Sequence, residues 1–120
     1  MRTHYPASAR LHRPSEYATA LKGKRIRGAL FVVHTPRSAS SFDTARLGFI
    51  IPKRLATKAV TRNTIKRVLR EAFRLQRPHL PSIDLVFRLH SRIPDCSLRA
   101  LRKMVRAEAD QLLAKLKAPK

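Results

Sequence analysis

Arg62, Lys66, Arg70 and Arg74 recur every fourth residue, with Asn63 and Arg67 beside them. On a helix this spacing makes one i, i+4 row, and a row of guanidinium and ammonium groups suits the phosphates of a polyanion. Glu71 lies within reach of Arg67 or Arg74, but one carboxylate cannot neutralise five cations. Like charges at this spacing repel, so the helix must be anchored by its opposite side, and a polyanion lying along it relieves the repulsion. Taken alone, a charge run is a solvated face. Here every position of the row is basic, an Asn sits within it, and the whole chain carries the same sign.

The other reactive side chains do not assemble into an enzyme acting alone. A metal nuclease needs clustered carboxylates, whereas the seven acids are scattered as Glu16, Asp43, Glu71, Asp84, Asp95, Glu108 and Asp110. Only Glu108 and Asp110 are close, and residues two apart on a helix do not face each other. His4, His12, His34, His79 and His90 leave a histidine acid–base pair open, but none stands beside a recognisable partner. No catalytic and no metal-binding residue is assigned to the chain. Cys96 is the only cysteine, which rules out an internal disulfide and suits a reducing compartment.

The elements that must position the basic row follow from periodicity. Ile65, Val68, Leu69, Ala72 and Phe73 fall on one side of a helix that ends near Gln76, before Pro78 and Pro81. Pro14-Ser15-Glu16-Tyr17 reads as a helix start capped by Ser15, stopping at Gly23. Gly28–Thr35 and Thr44–Ile51 read as strands, each closed by a proline, with a Ser-rich loop between them. Ile83, Leu85, Phe87 and Leu89 alternate with Asp84, Val86, Arg88 and His90 in a third strand. Leu98, Leu101, Val105, Ala109, Leu112 and Leu116 stripe a final helix to about Lys117, and the stripe reads as core packing. The order α-β-β-α-β-α, with room for a hidden strand, predicts an α+β sandwich: one small sheet with helices largely on one face. Val32 and His34 share one strand parity and Ile50 and Pro52 another. If these faces coincide, they make a shallow apolar cleft with basic edges that Tyr17 closes on one side.

Composition bounds the rest. The 120 residues suit a single domain, read as one nucleic-acid-binding unit with residues 1–10 a basic, poorly ordered arm and residues 117–120 a basic tail. Twenty-seven Lys and Arg against seven acids leave +20, which points to nucleic acid rather than a small-molecule substrate. Apolar content of 43% is that of a globular fold, not a disordered tail. No apolar run approaches a membrane span, and the N-terminus has no secretory apolar region, so a cytoplasmic protein is expected.

Arg62-Asn63-x-x-Lys66-Arg67-x-x-Arg70, preceded by Lys53-Arg54 and followed by Glu71-Ala72-Phe73-Arg74, closely resembles the signature of the bacterial ribonuclease P protein family. Arg10-Leu11 and Ser15-Glu16-Tyr17 look like that family's opening, Leu47-Gly48-Phe49-Ile50-Ile51 like its Gly-containing strand, and Leu80-Pro81-Ser82-Ile83-Asp84-Leu85-Val86 like its strand after the central helix. The resemblance implies a fold of the ribosomal-protein-S5 second-domain type, with a left-handed β-α-β crossover through the central helix. It implies a partner RNA that carries the catalytic site and binds Mg²⁺, in a ribonucleoprotein that hydrolyses the phosphodiester joining the 5′ leader to mature tRNA. One protein per RNA is expected. Carried over by position, the RNA-facing residues are Lys53, Arg54, Arg62, Asn63, Lys66, Arg67 and Arg70. Those facing the single-stranded leader of precursor tRNA are Tyr17, Leu21, Val32, His34, Ile50 and Pro52. Thr64 stands where the family usually has a further basic residue, and Leu55-Ala56-Thr57-Lys58 lacks a common Gly. Leu21 and His34 replace frequent aromatics, which weakens stacking because Leu has no π-face; His90 replaces a frequent basic residue.

Other readings share the charge. A structural RNA-binding protein of ribosomal type would confer no leader-dependent cleavage. A helix in a DNA major groove would use Arg and Asn as base readers, but no helix-turn-helix or dimer spacing is evident. A protein-only nuclease would cut RNA without a partner.

Overall fold

In the computed structural model, Leu11 and residues 14–36 and 45–116 are described. The expected arm and tail lie outside these residues, as does the Ser-rich loop at 37–43. The described elements are α1 (Pro14–Leu21), β1 (Lys24–Arg27), β2 (Phe31–Thr35), β3 (Arg46–Ile50), α2 (Ala59–Gln76), β4 (Asp84–Leu89) and α3 (Leu98–Leu116). A 3₁₀ turn at Arg77–His79 closes α2, with Pro78 inside it.

The strands form one sheet in the order β1-β2-β4-β3. β1 and β2 form an antiparallel hairpin, β2 pairs antiparallel with β4, and β3 pairs parallel with β4. Parallel neighbours need a crossover, and α2 supplies it. Period-2 alternation then gives the sheet two distinct faces. Phe31, Val33, Leu47, Leu85, Phe87 and Leu89 point to the main core, where they meet Ile65, Val68, Leu69, Ala72 and Phe73 of α2 and Leu101, Val105, Ala109, Leu112 and Leu113 of α3. Phe31 and Phe87 stack edge-on with centroids 6.1 Å apart. α1 lies on the other face, where Leu11, Ala20 and Val86 make a small second cluster flanked by Tyr17 and Ile50. The helices therefore divide between the faces, two and one.

The expected hidden strand is found, and three other expectations shift. β1 is the hidden strand: only Ile26 among its residues is apolar, and it turns to the core while Lys24, Arg25 and Arg27 stay exposed. β2 begins at Phe31 rather than Gly28. The chain ahead of it is a turn held by buried Glu108, whose carboxylate accepts the Leu30 N–H (2.9 Å) and the Phe31 N–H (2.7 Å). α1 begins at Pro14, so Ser15 is inside the helix and its carbonyl accepts the Thr19 hydroxyl. The cap belongs instead to α3, where the Ser97 hydroxyl accepts the Ala100 N–H at 3.1 Å. Leu98, the first residue of the predicted stripe, is 38% exposed.

Arg46 fastens α1 to the sheet. Its guanidinium donates to both carboxylate oxygens of Asp84 at 2.9 and 2.8 Å, and a further nitrogen lies 2.8 Å from Glu16 on α1. The bidentate bond to Asp84 leads the contacts that raise the Arg46 pKa above its ordinary value.

Candidate nucleic-acid interface

With five apolar residues sealed in the core, α2 turns Asn63, Arg67 and Arg70 outward to exposed positions, with Lys66 and Arg74 half-buried at the margins. No acid occupies the first turn of α2, and Lys58 at its N-cap makes no side-chain capping bond. Lys53 and Arg54, ahead of the helix, are exposed.

The basic row is not uniform. Arg62 turns back and donates to the carbonyls of Ala56 and Thr57, both at 2.9 Å, fixing the basic loop against the start of α2. Arg70 lies over the Phe49 ring, 5.4 Å from its centroid, a cation–π contact that holds the guanidinium along the edge of the sheet. Arg74, and not Arg67, takes Glu71.

The second surface is the sheet face that carries α1. Strand register aligns two rows across it: Arg25, His34, Val86 and Gly48, then Arg27, Val32, Arg88 and Ile50. Tyr17 stacks against Gly48 so closely that a Cβ there would lie 2.7 Å from the ring. The predicted faces of β2 and β3 thus coincide, with Tyr17 beside them. Within the predicted leader-facing set, Leu21 is exposed and Tyr17, Ile50 and Pro52 are half-buried. Val32 and His34 are 2% and 3% exposed, so they form the floor rather than an open stacking surface.

The His34 Nε2 accepts the Arg88 Nε–H at 3.1 Å, which requires the neutral ring. Burial, then the charges of Arg88 and Arg25, hold its pKa below the ordinary histidine value. Nδ1 is buried without a hydrogen-bond partner among the described residues. Arg25 and Arg27 join this face through β1. Sequence reasoning missed them because β1 was not recognised; the alternation of Lys24-Arg25-Ile26-Arg27 around one apolar residue was the available signal.

Among the described residues no group of three or more His, Cys, Asp or Glu is placed to hold a metal ion. Glu16 and Asp84 serve Arg46, Glu71 serves Arg74, Asp110 serves Arg106, and Glu108 serves the hairpin backbone. These acids do not fit a protein-held Mg²⁺ site. No described helix is long and apolar enough to cross a membrane.

Comparison with known proteins agrees with this geometry. The sequence profile described as Ribonuclease P matches residues 5–117. The chain is similar to the ribonuclease P protein component of Bordetella parapertussis, with 56% identity over 113 residues, 91% of this chain and 92% of that protein. It is also similar to that of Bordetella petrii, 48% identical over 120 residues, with 97% and 98% covered. The RNase P protein of Staphylococcus aureus has a similar structure, with a TM-score of 0.72 at 25% identity over 92% of this chain and 98% of its own. That of Thermotoga maritima gives 0.68 at 25% identity over 91% and 98%. The signature on α2, the sheet that carries it and these relatives together show that the chain belongs to the ribonuclease P protein family.

Proposed function

We propose a division of labour between the two surfaces: Lys53, Arg54, Arg62, Asn63, Lys66, Arg67 and Arg70 engage the catalytic RNA, and the α1-side cleft receives the 5′ leader of precursor tRNA. The chain is a subunit of ribonuclease P, a tRNA-processing ribonucleoprotein and endoribonuclease whose catalysis is carried by RNA. The observation that carries the proposed division is the sealing of the apolar side of α2 in the core, which leaves its cations outward while the opposite face of the sheet carries the basic and apolar residues of the α1-side cleft.

In this reading the protein lowers the repulsion between two polyanions. Phosphates of the catalytic RNA lie along α2 and the preceding loop, with Arg62 holding that loop in place. The leader crosses the cleft past Tyr17, Leu21, Ile50 and Pro52, over a floor of Val32 and His34, with Arg27 and Arg88 near its phosphates. Such contacts tolerate sequence, because a backbone has the same charge whatever its bases. Mg²⁺ is assigned to the RNA and supplies metal-ion chemistry there; the protein's part is binding and screening. One protein per RNA and a cytoplasmic setting complete the proposal, the latter supported by the exposed, unpaired Cys96.

Reconstitution tests it. At a Mg²⁺ concentration too low for a bacterial ribonuclease P RNA alone, adding the chain is expected to restore cutting of precursor tRNA at the mature 5′ end. RNA binding without any gain in cleavage would favour a purely structural role.

A further inference from the structure

We propose that the groove between α2 and α3 holds a second stretch of the partner RNA's sugar–phosphate backbone, separate from the stretch along the signature row. This rests on the reading of the chain as an RNA-bound subunit. The groove is open to solvent, about 650 Å³ in volume, with Val68 and Ala107 in its lining and Arg67, Arg102, Lys103 and Arg106 as its cations.

Charge accounting selects the occupant. Glu71, the groove's acid, is bonded to Arg74, and Arg106 is bonded to Asp110 at 3.1 Å. Among the described residues no ion pair reaches Arg67, Arg102 or Lys103, and all three are exposed. At 100° per residue, Arg99, Arg102, Lys103 and Arg106 fall within about 100° of arc on α3. Two such basic helices side by side repel each other unless an anion lies between them. A strand of phosphates meets that need, and small apolar residues beneath it leave room for sugars. An acidic peptide would also answer the charge, but a chain of +20 whose partner is RNA already favours the nucleic acid.

Position separates this stretch from the leader. α2 and α3 cover the sheet face opposite α1, so one short single strand does not occupy both sites. Arg67 belongs both to the signature and to the groove, so the two stretches meet there, and Arg102 and Lys103 are cations of the groove alone.

The test uses the full chain and a bacterial ribonuclease P RNA. Arg102→Ala with Lys103→Ala removes two exposed cations, and circular dichroism checks the fold. The slope of log affinity against log salt is expected to shrink by about 1.4–1.8, so affinity lost between 50 and 200 mM salt falls by about tenfold. Backbone-cleavage footprinting is expected to show a newly accessible RNA segment different from the one exposed by Lys66→Ala. An unchanged slope in the α3 double variant, with Lys66→Ala reducing it, would overturn the groove alone. Unchanged slopes in both would overturn the signature-helix reading as well. The same shift from Lys22→Ala with Lys24→Ala, outside the groove, would show a net-charge effect and also overturn the groove.

Discussion

His34 shows how far one residue depends on partners distant in sequence. In the sequence it reads as a weak substitute for an aromatic, but its ring is buried and accepts a hydrogen bond from Arg88. Nothing near position 34 in the chain announces that bond, because Arg88 arrives from β4 and Arg25 from β1. In the unfolded chain the ring takes a proton near pH 6.5, while in the fold it resists one, so the unfolded state binds more protons below that pH. This contribution to stability is therefore complete above about pH 6.5 and declines as pH falls toward the lower folded value. Urea titrations at pH 5.5 and 7.5 are expected to show a smaller pH effect for His34→Gln than for the parent; equal pH effects would refute the buried neutral ring. Gly48 is the companion case. A Cβ there meets the Tyr17 ring, so Gly48→Ala is expected to displace Tyr17 and weaken binding of leader-bearing precursor tRNA several-fold. Affinity for the catalytic RNA alone should be unchanged; loss of both would mean that the fold, not the cleft, was damaged.

Among the elements, legibility followed periodicity. α2 and α3 were clear because long apolar stripes at three- and four-residue spacing survive any tertiary context, and β4 was clear because its alternation is uninterrupted. β1 was invisible because an edge strand buries little, here only Ile26 on the core side. The late start of β2 depends on Glu108, almost eighty residues away, accepting two backbone N–H groups. The seat of α1 was equally hidden, since it depends on Arg46 joining Asp84 to Glu16 across three elements. Breaking one side of a buried ion pair leaves the other charge without compensation. Arg46→Ala is expected to destabilise the protein by about 3 kcal/mol in urea unfolding, because it leaves Asp84 and Glu16 without their cation, with the cleft affected most because α1 loses its anchor. A change below about 0.5 kcal/mol would mean that the Arg46 cluster carries little of the fold.

For the whole molecule, the sign and placement of charge were readable in advance, but the division of that charge was not. The sequence offered a basic row on the central helix and a cleft with basic edges, but not which cations serve the fold. In the fold, Arg62 is spent on the loop, Arg70 on Phe49 and Arg74 on Glu71, while Arg25, Arg27 and Arg88 gather on the opposite face of the sheet. A polypeptide that works by lending positive potential should bind RNA with steep salt dependence, and that dependence should diminish with each phosphate-contacting cation removed. The most direct test is the affinity of the full chain for a bacterial ribonuclease P RNA across a salt series, compared with Lys66→Ala and Arg67→Ala. Each substitution is expected to reduce the slope by about 0.7–0.9 without unfolding the protein. Slopes indistinguishable from the parent in both variants would contradict the assignment of α2 to the RNA.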